Sequence, residues 1–162
     1  TKLNQTLEEL RRNFEQHVIT LFGKGAVSDL RVEREEGRPI GLELVLQPPG
    51  KQTKALNLLS VGERTMGALA FLFSLVSQSD ASASKGLPVA VLDEVDAPLD
   101  ESNIRRFCSF VERLAAEGTQ FVLITHQKAT FEVADAIWGV TTQEGVSRVF
   151  SIRRDEEVAL RG

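Results

Sequence analysis

The segment PVAVLDEVDAPLD, residues 88–100, decides how this 162-residue chain is interpreted. Its four apolar residues, 89–92, predict a buried strand. Four carboxylates then follow within the eight positions 93–100. Because like charges at one place repel each other, such a group is favourable only beside something positive. The segment therefore predicts a cation site, most simply a metal ion, where a strand ends.

A second apolar run, FVLIT at residues 121–125, follows after a segment with helical periodicity. Asp100 is suited to cap that helix. Strand, helix and strand in succession form a βαβ unit, whose buried strands are usually parallel and share a carboxyl edge where ligands bind. We therefore predict an α/β fold, with a mostly parallel sheet that brings Asp93, Glu94 and His126 to one edge. The predicted apolar stripe of the helix is Ile104, Phe107, Cys108, Val111, Leu114 and Ala115.

The upstream chain predicts a helix and a hairpin. Residues 1–21 carry apolar residues at spacings of three and four, typical of a coiled coil or a packed helix. Residues 28–47 alternate as strands do and predict a β-hairpin that turns at residues 36–39. We interpret residues 51–57 as a polar connector and residues 77–86 as a polar loop.

After the second apolar run, the chain is predicted to form only short elements. A short helix is expected near residues 131–137, and a hairpin is expected to pair residues 139–142 with 146–152. Residues 153–162 are charged and lack periodicity, so we predict a loose tail there.

The acids at residues 93 and 94 have two interpretations. An isolated Asp-Glu pair most often begins a solvated turn. After a buried strand of a nucleotide-binding fold, however, Asp93 suits Mg²⁺ held through water, and Glu94 suits the orientation of an attacking water. Asp96, Asp100 and His126 in the same region favour the second interpretation. His126 alone would more often be an ordinary buried or capping histidine, but here it is suited to donate a hydrogen bond to a γ-phosphate.

Ser60 and Glu63 form an S-x-x-E capping box at the start of a predicted helix. A helix N-terminus with a serine hydroxyl, and with Gly62 for close approach, also attracts anions such as phosphate. The chain lacks the phosphate cradle G-x-x-x-x-G-K-[ST]. It thus carries the metal, water and γ-phosphate half of a nucleotide site without the P-loop.

Composition excludes several protein classes. The net charge of −4 does not indicate a nucleic-acid surface. The single Cys108 excludes an internal disulfide and fits a reducing compartment. No apolar run approaches the roughly 20 residues of a membrane span, and no signal peptide is recognisable. Because the chain opens with Thr1 rather than Met, we expect a fragment or a processed piece. These features predict a soluble cytoplasmic protein.

Those motifs, in this order, resemble the C-terminal half of an ABC-type ATPase head, and more narrowly the bacterial structural maintenance of chromosomes (SMC) family. The resemblance covers residues 14–152. It rests on FGKG (22–25), QPPGK (47–51), NLLSVGE (57–63), VLDEVDAPLD (91–100) and ITHQKATFEVAD (124–135). It implies that residues 1–21 end a coiled coil, that 22–152 form the C-terminal lobe of the head, and that 153–162 are a flexible tail.

The resemblance also implies roles for matching residues. Asp93 would be the Walker B acid for Mg²⁺, Glu94 the catalytic base and His126 the switch histidine, so that Glu94 and His126 are the implied catalytic residues.

A second group of residues would act on the ATP held by the opposite head. Ser60, Gly62 and Glu63 belong to the signature motif, and Asp100 belongs to the D-loop that reaches across the dimer. Val61 departs from this motif, which usually has glycine at that position, and its β-branched side chain restricts the backbone.

The implied partners are the N-terminal lobe of the same protein, a second head, DNA and the C-terminal winged-helix domain of a kleisin subunit. No membrane partner is implied, and the implied location is the bacterial nucleoid. Two alternatives stay open. One is the head of another ABC ATPase, such as a coiled-coil DNA-repair protein or a transporter subunit. The other is a docking platform that has lost hydrolysis, which Val61 alone favours.

Overall fold

The computed structural model describes residues 2–52, 54–76 and 88–153. The chain forms two compact units, Thr1–Thr125 and His126–Gly162, and each is described by itself. The predicted loop at residues 77–86 and all of the predicted tail except residue 153 lie outside the described residues.

The first unit begins with helix α1, Lys2–Phe22, which confirms the predicted N-terminal helix. Its spacing of apolar residues turns one stripe toward the protein interior. Gly23 ends the helix with φ +94°, and its N–H donates to the carbonyl of Ile19 at 2.9 Å. The stripe is buried from the middle of α1 onward, at Leu10, Phe14, His17, Val18 and Leu21.

The predicted hairpin is formed by β1, Val27–Glu35, and β2, Arg38–Gln47, which pair antiparallel. Its turn is shorter than predicted. Only Glu36 and Gly37 connect the strands, both with positive φ, as a two-residue hairpin turn requires. The connector predicted at residues 51–57 was partly wrong, because β3, Lys54–Ala55, pairs with β2 and a 3₁₀ turn, Leu56–Leu58, follows it.

Helix α2, Val61–Val76, follows the capping box as predicted. Gly67 explains how closely α2 approaches β2, because a Cβ atom there would lie 2.4 Å from Cδ1 of Leu46. The residues of the helix that are buried are Gly62, Met66, Gly67, Leu69, Ala70, Phe73 and Ser74.

The βαβ unit is confirmed. Strand β4, Val89–Asp93, is parallel to β5, Gln120–Ile124, and helix α3, Glu101–Ala116, connects them. The α/β class is therefore confirmed, with this parallel pair and otherwise antiparallel strands among the described residues. The predicted apolar stripe of α3 is buried except for Ala115, which is exposed. Phe110, which was not part of the predicted stripe, is also buried.

The prediction that residues 89–92 form a buried strand was only partly correct, because one face of β4 is exposed. Ala90 and Leu92 are buried, but Val89 and Val91 on the other face are 47% and 63% exposed.

Aromatic rings connect the helices of the first unit. Phe110 of α3 packs edge-on against His17 of α1 at 5.3 Å and against Phe73 of α2 at 5.5 Å between ring centroids. Phe73 in turn lies 5.7 Å from Phe121 of β5. This row of rings makes α1, α2, α3 and β5 one core, on which the parallel edge is built.

The second unit contains α4, Lys128–Glu132, and an antiparallel hairpin of β6, Ala136–Gln143, with β7, Val146–Arg153. The hairpin is confirmed and longer than predicted. The helix predicted at residues 131–137 was misplaced, since β6 already begins at Ala136. Among the described helices of both units, none is long and apolar enough to cross a membrane.

Candidate functional site

The parallel pairing brings the ends of β4 and β5 together. Asp93, the last residue of β4, lies opposite Ile124 in the register. The N–H of Glu94 donates to the carbonyl of Ile124 at 2.8 Å, which extends the ladder by one bond. The carboxylates of Asp93 and Glu94 belong to exposed residues. The predicted carboxyl edge is therefore present, and two acids stand on it.

Glu94 has a left-handed backbone, with φ +49°. This conformation costs an L-residue with a Cβ atom about 1–2 kcal/mol. Such strain persists only where the surrounding structure imposes it, and it concentrates at functional sites. The sequence contained no sign of it, because glutamate is not a residue that favours this region.

We call residues 93–100 the acidic turn. Within it, Ala97 N–H donates to the carbonyl of Glu94 at 3.2 Å, and Leu99 N–H donates to that of Asp96 at 3.1 Å. Asp100 caps α3 as predicted, because its Oδ1 accepts from the N–H of Asn103 at 2.8 Å. The backbone of the turn is thus tightly folded between β4 and α3.

The four carboxylates of the acidic turn do not share one environment. Asp93, Glu94 and Asp100 are exposed, whereas Asp96 is 2% exposed. The Oδ2 atom of Asp96 accepts a hydrogen bond from Oγ1 of Thr125 at 2.5 Å. Sequence reasoning counted Asp96 among the acids that would face a cation, and its burial sets it apart from them.

His126 belongs to the second unit and is exposed. It follows Thr125 directly, two residues beyond the end of β5. Its approach to Asp93 and Glu94 stays a prediction. Across the described ranges, no group of three or more His, Cys, Asp or Glu side chains is close enough to hold a metal ion. Mg²⁺ does not require such a cage, since it is commonly held by one or two carboxylates, waters and substrate phosphates. Asp93 fits that kind of site.

We call residues 60–63, at the start of α2, the serine tip. Its capping box is confirmed in both directions. Ser60 Oγ accepts from the N–H of Glu63 at 3.3 Å, while Glu63 Oε2 accepts from the N–H of Ser60 at 3.1 Å and from its hydroxyl at 3.0 Å. Ser60 is exposed, and Val61 is 59% exposed. The N-terminus of α2 is therefore exposed within this unit at Ser60 and Val61, whereas Gly62 is buried.

Lys51 completes the serine tip, a role that the sequence analysis missed because it placed this residue in a polar connector. Its Nζ lies 2.7 Å from Oε1 of Glu63. Burial by itself would raise the pKa of Glu63, but hydrogen bonds from Lys51 and Ser60 and the charge of Lys51 hold that pKa below its ordinary value. Because Lys51 offsets the charge of Glu63, an anion at this helix end meets less repulsion.

Gly62 places the serine tip beside the acidic turn. A Cβ atom at Gly62 would lie 3.0 Å from the carbonyl oxygen of Pro98 and 3.8 Å from side-chain atoms of Leu99 and Asn103. The glycine was predicted to allow close approach of phosphate. The close approach seen in the structure is to the backbone of the same chain, and it makes the start of α2 and the start of α3 neighbours.

Comparison with known proteins identifies relatives of this arrangement. The family profile described as RecF/RecN/SMC N terminal domain matches residues 2–148. The chain is 41% identical over 156 residues to the chromosome partition protein Smc of Bacillus subtilis, and 42% identical over 161 residues to that of Thauera aminoaromatica. These matches cover 96% and 99% of this chain but only 13% and 12% of the relatives, so the chain spans a small part of their length.

Solved structures give the same result at the level of the fold. An Smc head domain from Pyrococcus furiosus, with an extended coiled coil and bound to the C-terminal domain of ScpA, superimposes with a TM-score of 0.80 and 31% identity. The superposition covers 98% of this chain and 38% of the P. furiosus chain. A chain described in work on ATP-driven dimerization and DNA-stimulated activation of SMC ATPases gives a TM-score of 0.77 and 30% identity, over 99% of this chain and 93% of that one.

Proposed function

Because this chain belongs to the RecF/RecN/SMC family, we propose that it supplies the C-terminal half of an SMC ATPase head, which binds and hydrolyses ATP between two engaged heads. The observation that carries the proposal is the left-handed Glu94 at the carboxyl end of the parallel pair. Glu36 and Glu144 have similar φ values but lie in hairpin turns, whereas Glu94 lies at the carboxyl edge of a parallel pair, where ligands of α/β sheets bind, and a strained acid at that edge suits a catalytic group.

In this function Asp93 and Glu94 act within one head. Asp93 would hold Mg²⁺, and the ion would offset charge on the phosphates of ATP. Glu94 accepts a hydrogen bond from the attacking water and aligns it with the γ-phosphate. His126 donates to the γ-phosphate. The residues of the chain contribute chiefly position and electrostatic stabilisation, which dominate phosphoryl transfer.

The serine tip serves the nucleotide of the opposite head. The first N–H groups of a helix have no partners within it and attract phosphate. Ser60 contributes its hydroxyl, Gly62 a backbone N–H, and Glu63 the capping contact that holds Ser60. Asp100 reaches across at the start of α3. The close approach of Gly62 to the carbonyl of Pro98 supports this assignment, because it places the serine tip beside the turn that leads to Asp100.

The remaining parts of the site come from elsewhere. A P-loop lobe must supply the phosphate cradle that the sequence of this chain lacks, so the chain by itself should neither hold ATP well nor hydrolyse it. The complete head would act in chromosome condensation and segregation in the bacterial cytoplasm, on the DNA of the nucleoid. A kleisin subunit would dock through its C-terminal winged-helix domain; the P. furiosus head is bound to the C-terminal domain of ScpA.

The catalytic assignment is tested by Glu94→Gln in a head that joins this chain to a P-loop lobe. The amide keeps the size of the side chain and still accepts hydrogen bonds, but it is a far weaker base. We expect ATP turnover to fall at least about 100-fold, while ATP still joins the heads. Glu132→Gln, an exposed glutamate of α4, is the matched control and should hydrolyse ATP as the unsubstituted head does. Turnover that survives in Glu94→Gln would remove Glu94 as the base.

The assignment across the dimer is tested by Ser60→Arg. The long side chain would fill the phosphate position at the tip of α2, so we expect ATP-dependent head pairing to be lost. Ala68→Arg adds the same group at an exposed position of the same helix and should leave pairing intact. Size-exclusion chromatography with ATP measures both. Pairing that persists in Ser60→Arg would contradict the contact.

The exposed side chain of Val61 favours a second candidate, a docking platform without hydrolysis. A head that binds ATP, pairs and recruits its partners but shows no turnover would identify that function instead.

A further inference from the structure

Asp96 differs from the rest of the acidic turn in a way that the proposed chemistry does not use. It is 2% exposed, and a buried carboxylate is unfavourable unless donors compensate it. An apolar residue of similar size would avoid this penalty. The carboxylate therefore needs a reason that lies in its contacts.

The contacts of Asp96 lead to the neighbouring strand. Thr125 Oγ1 donates to Asp96 Oδ2 at 2.5 Å, immediately after the backbone bond from Glu94 N–H to Ile124 O at 2.8 Å. One bond joins Glu94 to Ile124, the last residue of β5, and the other joins Asp96 to Thr125, the next residue. The backbone of Glu94 and Val95 is held between them.

We propose that Asp96 and Thr125 are positioning residues that keep Glu94 in its left-handed conformation and so aim its carboxylate for hydrolysis. This inference rests on the proposed ATPase function and assigns it two further residues. Without the second bond, the turn loses one of the two hydrogen bonds described here between it and the end of β5, and the backbone relaxes toward the right-handed or extended region that a glutamate prefers. The carboxylate then swings away from the position that alignment of the water requires.

Thr125 has a second effect through its place in the chain. It is the residue directly before His126, so the same hydrogen bond anchors the backbone from which His126 departs. One buried contact thus holds the turn that carries the proposed base and the residue that precedes the proposed switch histidine.

The test compares pairs of variants in the head joined to a P-loop lobe. Thr125→Val and Asp96→Ala remove the bond, while Thr125→Ser keeps the hydroxyl and Asp96→Asn keeps an acceptor oxygen. We expect the first pair to lower kcat about 10–100-fold, as misplacement of a catalytic group does, with KM for ATP within about twofold and ATP-dependent pairing retained. The second pair should keep kcat within about threefold of the unsubstituted head.

Thr119→Val is the matched control, because it makes the same substitution just before β5 begins, at the opposite end of that strand. It should leave kcat unchanged. A merely structural role would lower the folded fraction and leave kcat per folded head the same. Equal kcat per folded head in Thr125→Val and in the unsubstituted protein would therefore overturn the proposal, as would a Thr125→Ser variant as impaired as Thr125→Val.

Hydrogen exchange of the 162-residue chain separates this inference from the ATPase proposal. Protection of the Glu94 amide should fall at least tenfold in Thr125→Val and be restored in Thr125→Ser, whether or not any head hydrolyses ATP. An unchanged Glu94 amide in a folded Thr125→Val chain would overturn the inference. If the unsubstituted head does not hydrolyse ATP, that result would count only against the proposed function. If neither Asp96→Ala nor Thr125→Val folds, Asp96→Asn decides: kcat and Glu94 protection should be retained together or fall together, and a fall in kcat with unchanged Glu94 protection overturns the inference.

Discussion

The acidic turn is anchored by a carboxylate that is 2% exposed, whereas the serine tip is tied by Lys51, whose side chain is 60% exposed. The turn must hold Glu94 in a strained conformation, and a buried hydrogen bond in a region of low dielectric suits that task. In the proposed function the tip meets a ligand from outside, and it already has a favourable helix start. Polar contacts in these two regions thus differ in kind: the buried bond enforces geometry, and the exposed ion pair adjusts charge.

The largest effect on stability should come from the buried contact. Asp96→Ala leaves the hydroxyl of Thr125 without this acceptor, and we expect it to lower the free energy of unfolding by about 2–3 kcal/mol. Urea unfolding followed by circular dichroism measures the change. Asp135→Ala, at an exposed position, is the control. A cost below about 1 kcal/mol for Asp96→Ala would mean that burial does not distinguish the two regions.

Glu94 allows the strain of the acidic turn to be measured. Alanine at position 94 keeps a Cβ atom in the left-handed region, while glycine adopts this region freely. We expect Glu94→Gly to be more stable than Glu94→Ala by about 1 kcal/mol, although both remove the carboxylate. The difference in free energy of unfolding between the two variants is the measurement. If alanine is equally stable, the backbone at residue 94 is not under strain.

Substitutions at Ser60 measure how much the cap of α2 contributes to the free energy of unfolding. Ser60→Ala should cost about 1 kcal/mol, since it removes the cap of α2, and Ser60→Gly only a few tenths. Asp100→Ala, which removes the cap of α3, should cost at least as much as Ser60→Ala, because the Asp100 carboxylate accepts from its backbone N–H at 2.8 Å, against 3.3 Å for the Ser60 hydroxyl. A much larger loss of stability at Ser60 or Asp100 would show that the residue does more than cap the start of its helix.

Lys51→Met should have the smallest effect, about 0.5 kcal/mol at pH 7, because the ion pair with Glu63 is partly solvated. The pKa of Glu63 is lowered in the folded state, so its charge stabilises the protein above the ordinary pKa of 4.5. That contribution is lost as the pH falls through the lowered pKa. Urea unfolding at several pH values should therefore show the two proteins converging in acid.

His17 titrates in an overlapping range, because burial, and then the charge of Arg113, lower its pKa to about 4. Its folded form resists protonation, so stability is expected to fall as the pH drops from 6.5 toward 4. This loss should be the same in Lys51→Met and in the unsubstituted protein, and it cancels in their difference. A difference that grows in acid would contradict the assignment of the Lys51 contact.

The elements that sequence patterns predicted well are those with a local cause. The apolar stripe of α1, the caps at Ser60 and Asp100, and the hairpin turn at Gly37 each depend on residues within a few positions. The errors arose where a segment lacked its own pattern. Strand β3 is two residues long and exists only because β2 offers it an edge, and the helix expected at residues 131–137 gave way to β6, which pairs with β7.

Local sequence patterns were enough to predict the βαβ unit, the acids at a strand end and the helix capped by Ser60, because periodicity and capping act over single turns or strands. The fold was needed to show that Asp96 is buried against Thr125, 29 positions away, that Lys51 reaches Glu63, and that Gly62 lies close to Pro98. These pairs depend on how closely α2, α3 and the strands pack, and no local pattern encodes a contact between residues so far apart. The left-handed Glu94 is a product of the same packing, since its own propensity opposes it.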